Sequence, residues 1–144
     1  MPAWVDAAVE DYLERLPREL AAELTEIKPE PRDRGRTVAQ MLAREAGRIA
    51  GATQGWRTIA LDERGETWTT ARLARRLDAE RDRGRNLAFV IGSADGLDPR
   101  VKRDADVIVS LSALTLAHGV ARVMLAEQLY RAASMLAGHP YHRA

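Results

Sequence analysis

Apolar positions along this chain switch between a helical and a strand-like period. Val5, Val9, Tyr12, Leu13 and Leu16 mark one helix face that stops before Pro17. Residues 20–27 then alternate apolar and polar, which predicts a half-buried strand punctuated by Pro29 and Pro31. Val38, Met41, Leu42, Glu45 and Ile49 give a second helix, stopped by Gly51 and Gly55. Residues 56–61 form a compact apolar run closed by DERGE, a second strand. Leu73, Ala74 and Leu77 mark a helix that Thr69 or Thr70 caps. Residues 87–91 are a third strand, followed by a short helix with Asp98 as cap and Pro99 in its first turn. Residues 107–111 are a fourth strand. The last helix spans about 119–137, with Val120, Val123, Met124, Glu127, Tyr130, Ala133, Met135 and Leu136 on one broad apolar side. Strands separated by helices predict an α/β fold, a mostly parallel sheet flanked by helices.

A length of 144 residues fits one domain, 1–144. Hydrophobic residues at 46% and charged residues at 30% are those of a globular chain. No apolar run approaches the roughly 20 residues that span a bilayer, and MPAWVDAAVEDY lacks the basic start of a signal peptide, so a cytoplasmic location without membrane is expected. The absence of cysteine excludes disulfides and thiolate metal sites. Lys+Arg 22 against Asp+Glu 21 leaves a net charge of +1, which argues against an autonomous nucleic-acid binder. The arginines cluster at 32–36 and 72–85, where solvated faces are the plainer reading and RNA contact the sharper one.

Two loops are candidates for chemistry. FVIGSADGL (89–97) feeds a glycine turn at the C-terminal edge of the sheet, where open α/β sheets bind ligands. It has neither GxGxxG nor GxxxxGK[ST] spacing, so on this motif alone an ordinary strand-to-helix turn capped by Asp98 is the better reading. LSALTLAHG (111–119) places Ser110, Ser112 and Thr115 hydroxyls beside or among apolar neighbours, which suits either a small-molecule cleft or a strand end leading into a helix. His118, His139 and His142 lack metal-ligand spacing, so no metal is expected, and His118 reads as a structural hydrogen-bonding residue. By spacing alone the tail HPYHRA reads as frayed; ordered, it would offer an aromatic ring for base stacking and a cation for phosphate. Tyr130 falls on the apolar stripe and reads as packing. No Ser-His-Asp set or carboxylate pair is apparent.

LSALTLAHGVARVMLAEQLYRAASMLAGHPYHRA, together with ALDERGE, FVIGSADGL and PAWVDAAVEDYLERLP, resembles the bacterial ribosomal RNA large subunit methyltransferase H family of the SPOUT class, pseudouridine N3-methyltransferases. The resemblance implies a SPOUT fold with a C-terminal deep trefoil knot, an exception to the rule that chains avoid threading. It implies S-adenosylmethionine as cofactor, held at positions matching Leu61, Gly92, Leu111, Ser112, Ala113, Leu114, Thr115 and Leu116, with backbone atoms carrying much of the binding. Tyr141, His142 and Arg143 match the family's catalytic tail. The family works as a homodimer on the assembled ribosome, without DNA, and the implied substrate is a pseudouridine in the helix 69 hairpin loop of 23S rRNA. The other class of function compatible with the resemblance is a degenerate, non-catalytic ribosome-binding or dimerisation module of the same fold.

The family begins with a strand and a glycine-lysine turn before its Pro-x-Trp helix. This chain starts at MPAW, so the family's first strand is expected to be missing. The family's paired glycines followed by Pro-Glu-Gly are replaced by Gly92, Ser93, Ala94, Asp95 and Gly96, and its proline before the histidine is Ala117.

Overall fold

The structure is a computed structural model that describes residues 1–143 except 29, 32–34 and 94; for residues 142 and 143 it describes the backbone alone. Five helices and three strands follow in the order α1 (Ala3–Glu14), α2 (Val38–Ala52), β1 (Arg57–Thr67), α3 (Thr70–Asp82), β2 (Leu87–Ile91), α4 (Pro99–Asp104), β3 (Val107–Ser110) and α5 (His118–Leu136). Short 3-10 turns lie at Arg18–Leu20 and Pro140–Arg143.

The sheet is parallel throughout, in the order β2-β1-β3. Its two faces follow from the alternation of side chains along each strand. Ala60 and Val90, paired across β1 and β2, face Leu97, Ile49, Val101 and Ala105, so α2 and α4 lie on that side. Phe89 points to the other side and joins Leu73, Ala74 and Ala132, so α3 and α5 lie there. α1 packs on α5 through Val5, Val9 and Ala126. No helix among the described residues is long and apolar enough to cross a membrane.

Local chemistry sets the helix starts. Thr37 and Gln40 form a reciprocal capping box on α2. Thr69, rather than Thr70, caps α3 through the Arg72 N–H. Asp98 caps α4 with Pro99 behind it, as the sequence predicts.

Five expectations need correction. Residues 20–27 form no strand: a strand needs a neighbour for its N–H and C=O groups, no described segment pairs there, and residues 21–28 are exposed apart from half-buried Ile27. Among the described residues the sheet therefore has three strands, not four. The second predicted strand does not stop at DERGE but continues to Thr67 with a register shift, and α2 runs through Gly51 to Ala52 before turning at Gly55, whose φ is +81°. On α5 the buried residues are Gly119, Leu125, Ala126, Leu129, Ala132, Ala133 and Ser134, a face rotated from the predicted stripe. The rotation arises because α5 is apolar nearly all round and is clamped between α1 and α3. Finally, the tail is not frayed: Pro140–Arg143 is a 3-10 turn docked on α5.

Candidate active site

Three strand ends meet at one edge of the sheet. Leu61 on β1 is in register with Ile91 on β2 and with Val109 on β3, so Gly92 and Leu111, just beyond those partners, flank it at strand spacing. The chain leaves β1 toward the α3 face and leaves β2 toward the α4 face. Open α/β sheets take ligands at the carboxyl ends of adjacent strands whose connections part in this way, a position that Leu61 and Gly92 occupy here.

Gly92 has no room for a side chain: a Cβ there would stand 2.6 Å from the carbonyl carbon of Gly96. Gly96, with φ of +87°, donates its N–H to the Ser93 carbonyl at 2.9 Å and closes the turn. Helix α2 holds this loop from behind. Its buried Glu45 accepts from the Ser93 hydroxyl at 3.4 Å and from the Glu30 N–H at 3.0 Å. Glu30, also buried, pairs with Arg36 and Arg48. Burial alone would raise the Glu30 carboxyl, but the guanidiniums of Arg48 and Arg36 outweigh it and hold it below the ordinary range. Ala94 of this loop, and Arg32 and Arg34 of the first arginine cluster, lie outside the described residues.

Opposite, residues 62–65 leave the ladder, because Leu61 and Glu66 are both in register with Val109. Asp62 accepts the Arg64 N–H at 2.9 Å and pairs with Lys102 at 3.3 Å; burial raises its carboxyl, yet these partners leave it lowered overall. Glu63 accepts the Thr115 hydroxyl at 3.0 Å, tying this bulge to the loop after β3. That loop is shaped by Ser112, whose carbonyl accepts the Ser110 hydroxyl at 2.8 Å and whose hydroxyl accepts the Leu114 N–H at 2.9 Å. Leu111, Ser112 and Leu116 are half-buried; Ala113, Leu114 and Thr115 are exposed, Leu114 at 74%. Among the described residues, no backbone-to-backbone hydrogen bond uses residues 113–116. The edge therefore offers leucine side chains, open space at Gly96 above a turn closed tightly on Gly92, and the peptide groups of residues 113, 115 and 116, which have no backbone partner among the described residues. Those features fit a ligand with an apolar body and a polar rim.

The tail sits elsewhere along α5. Tyr141 donates its hydroxyl to Glu127 at 3.0 Å, stacks edge-on against Tyr130 at 4.6 Å and lies under the Arg131 guanidinium at 5.0 Å. Burial first, then hydrogen bonding with Tyr12 and Glu127, raises its phenol pKa, so the hydroxyl stays protonated at neutral pH. Glu127 lies nine residues beyond His118, roughly 14 Å along the helix axis at 1.5 Å per residue, so within one protomer the tail is docked well away from the loop that enters α5. The side chains of His142 and Arg143 lie outside the described residues. His118 is not the hydrogen-bonded residue that the sequence suggests: its Nδ1 is buried without a partner, and burial, then the Arg122 charge and the chain's amino terminus, lower its pKa. The second arginine cluster is mostly committed locally. Arg76 and Arg85 pair with Glu80, Arg81 with Asp78, and Arg72 with Glu66 while lying over the Trp68 ring at 5.0 Å.

Sequence reasoning missed Glu45, Glu63, Gly65 and Glu127. Glu45 and Glu127 carried a usable signal, since each is an acid set in an apolar helical stripe, a position that requires a buried partner. Glu63 and Gly65 carried none, because DERGE reads as a turn.

The family model described as "Predicted SPOUT methyltransferase" matches residues 1–142. The ribosomal RNA large subunit methyltransferase H of Nitrosospira multiformis is 52% identical over 145 aligned positions, covering 100% of this chain and 93% of the relative. Proteins of that name from Burkholderia ambifaria and Burkholderia cenocepacia are similar to the same degree and extent.

Proposed function

Because this chain belongs to the SPOUT methyltransferase family, we propose that it is a single-domain enzyme that methylates N3 of a pseudouridine in the helix 69 hairpin loop of 23S rRNA, within the assembled ribosome and with S-adenosylmethionine. The names of its relatives support ribosomal RNA as the substrate. The observation that carries the reading is the convergence of Leu61, Gly92 and residues 111–116 at one sheet edge, where residues 113–116 make no backbone-to-backbone hydrogen bond among the described residues. Under this reading Leu61, Gly92, Leu111, Ser112, Ala113, Leu114, Thr115 and Leu116 hold the cofactor, and the C-terminal part forms the family's deep trefoil knot. When bound, S-adenosylmethionine supplies a methyl group activated on a sulfonium.

The protein's own task is to make the pseudouridine imide a nucleophile and aim it. N3 carries a proton that must leave, and the base must be held in line with the methyl. His142 takes up or orients that proton, and Arg143 steadies a phosphate or the developing negative charge. Tyr141 serves as a neutral hydrogen-bonding and stacking group, since its raised pKa unfits it as a base.

The separation along α5 supports a homodimer. One protomer's tail is docked beside Glu127, roughly 14 Å from its own cofactor loop. A second copy running antiparallel would bring its tail to the first copy's loop. Trp4, Leu114 and Val120, exposed at the end where α1 and α5 both begin, give such a copy apolar surface to cover.

Calorimetric titration of the full chain with S-adenosylmethionine tests the reading. One saturable site whose affinity falls on Gly92→Ala is expected. Ribosome binding with no cofactor heat would instead favour the non-catalytic module.

A further inference from the structure

Helix α5 ends by turning its chain back on itself. Gly138, with φ of +72°, donates its N–H to the Met135 carbonyl at 3.2 Å, and His139 donates to the Ser134 carbonyl at 2.8 Å. Together these form a Schellman cap, which satisfies the last carbonyls and reverses the backbone. The turn Pro140–Arg143 is thereby laid against α5, where the Glu127 carboxylate receives the Tyr141 hydroxyl.

That carboxylate is unusually committed. Glu127 Oε2 accepts the Tyr141 hydroxyl at 3.0 Å and Arg131 Nε at 3.1 Å, while Oε1 accepts Gln128 Nε2 at 2.8 Å. Gln128 in turn accepts the Thr70 hydroxyl at 2.6 Å, from the first residue of α3. A hydrogen-bonded line thus runs from the β1–α3 corner through Gln128 and Glu127 to the tail. Arg131 also lies over the Tyr141 ring, so charge and ring contact fix the same side chain. Glu127 is half-buried, and a charge-assisted bond from a phenol there is stronger than one between neutral groups.

We propose that Glu127 is a positioning residue of the methyl transfer: it sets the register in which the tail presents Tyr141, His142 and Arg143 to the RNA, and acts only through them. The proposal rests on the reading above that the tail belongs to the catalytic site. Among the described residues the hydrogen bonds of Glu127 go to Gln128, Arg131 and Tyr141 and none to Leu61, Gly92 or residues 111–116, so its loss is expected to leave cofactor binding intact. The carboxylate is needed for its charge as well as its shape: glutamine keeps an acceptor for Tyr141 but gives Arg131 no charge partner.

The test uses the full chain, with S-adenosylmethionine and ribosomes purified from cells lacking the modification. Glu127→Ala is expected to lower kcat about ten- to a hundredfold, the loss of one charge-assisted bond, with Glu127→Gln between it and the parent. The cofactor Kd of both is expected to stay within about twofold of the parent, within the scatter of distant sites. Amide exchange at residues 139–143 is expected to quicken in Glu127→Ala while α1 and the sheet stay protected. Adding Tyr141→Phe to Glu127→Ala should cost less than Tyr141→Phe costs the parent, because the two variants share the Tyr141–Glu127 bond. Unchanged kcat and unchanged tail exchange in both Glu127 variants, with Tyr141→Ala inactive, would overturn the positioning role and leave the proposed function standing. Full activity of Tyr141→Ala and His142→Ala together would overturn the tail's place in the site itself. If Glu127→Ala does not fold, Glu127→Gln decides, and parental kcat and tail exchange in it overturn the proposal.

Discussion

Gly65 lies directly on the backbone of Val109: a Cβ on Gly65 would stand 2.7 Å from the Val109 nitrogen and 2.6 Å from the carbonyl carbon of Ile108. The chain after Leu61 regains β3 only by crossing at this point, so the contact decides whether the bulge carrying Asp62 and Glu63 keeps its shape. Neither neighbour can yield, since both atoms are strand backbone. Gly65→Ala is expected to destabilise the protein by about 1–3 kcal/mol, the range for overpacking a close contact, measured by urea unfolding. A stability equal to the parent's would show that the bulge is not held there.

Gly92 meets an equally close neighbour, but in a loop rather than between strands. Its Cβ would press on Gly96, whose positive φ closes the turn, and on the Leu97 side chain at 3.0 Å. A loop can shift where a ladder cannot. Gly92→Ala is therefore expected to cost less stability than Gly65→Ala and to weaken S-adenosylmethionine binding about tenfold or more, the effect of misplacing groups by about an ångström. Calorimetry beside urea unfolding separates the two effects.

What the sequence made legible was whatever a local period or cap encodes. Val5 and Val9 announced the α1 face, and Asp98 with Pro99 announced α4. The alternation in residues 20–27 was legible too, but a strand is a property of two segments, and its partner is not encoded in those eight residues. The path of β1 through DERGE was hidden for the converse reason, since charged residues exposed on an excursion look like a turn. For the site, motif likeness pointed to Leu61, Gly92 and residues 111–116, and the register of three strands draws them to one edge. The Tyr141–Glu127 contact joins residues 14 positions apart through a reversal of chain direction, which no helical or strand period expresses. Only Gly138, a glycine placed just past a long apolar helix, hinted at it.

His118 makes stability depend on pH near neutrality. Its folded pKa lies below the ordinary value of 6.5, chiefly through burial and then the Arg122 charge. The unfolded chain therefore binds the proton more readily than the folded one. The stability tied to the neutral imidazole is complete above pH 6.5 and is lost as the pH falls below it, through the folded pKa. Thermal unfolding between about pH 8 and 5 is expected to show a falling Tm toward acid, and His118→Gln is expected to flatten that fall. An equal slope in the variant would remove His118 as the cause.

Gly138 offers a way to loosen the tail without touching any side chain of the site. With φ of +72°, it occupies a conformation that costs other residues about 1–2 kcal/mol. Gly138→Ala is expected to lower stability by no more than that and to increase amide exchange at residues 139–143. Methylation is expected to fall while the cofactor Kd holds. An unaltered tail exchange would mean that docking on α5 does not depend on the Schellman turn.

The most direct measurement follows the methyl group to its destination. Ribosomes from cells lacking the modification are incubated with the full chain and S-adenosylmethionine bearing an isotopically labelled methyl. The 23S rRNA is then digested and the helix 69 hairpin fragment read by mass spectrometry. Label on N3 of one pseudouridine in that loop is the expected result. Label on another nucleotide, or none while the cofactor binds, would contradict the account.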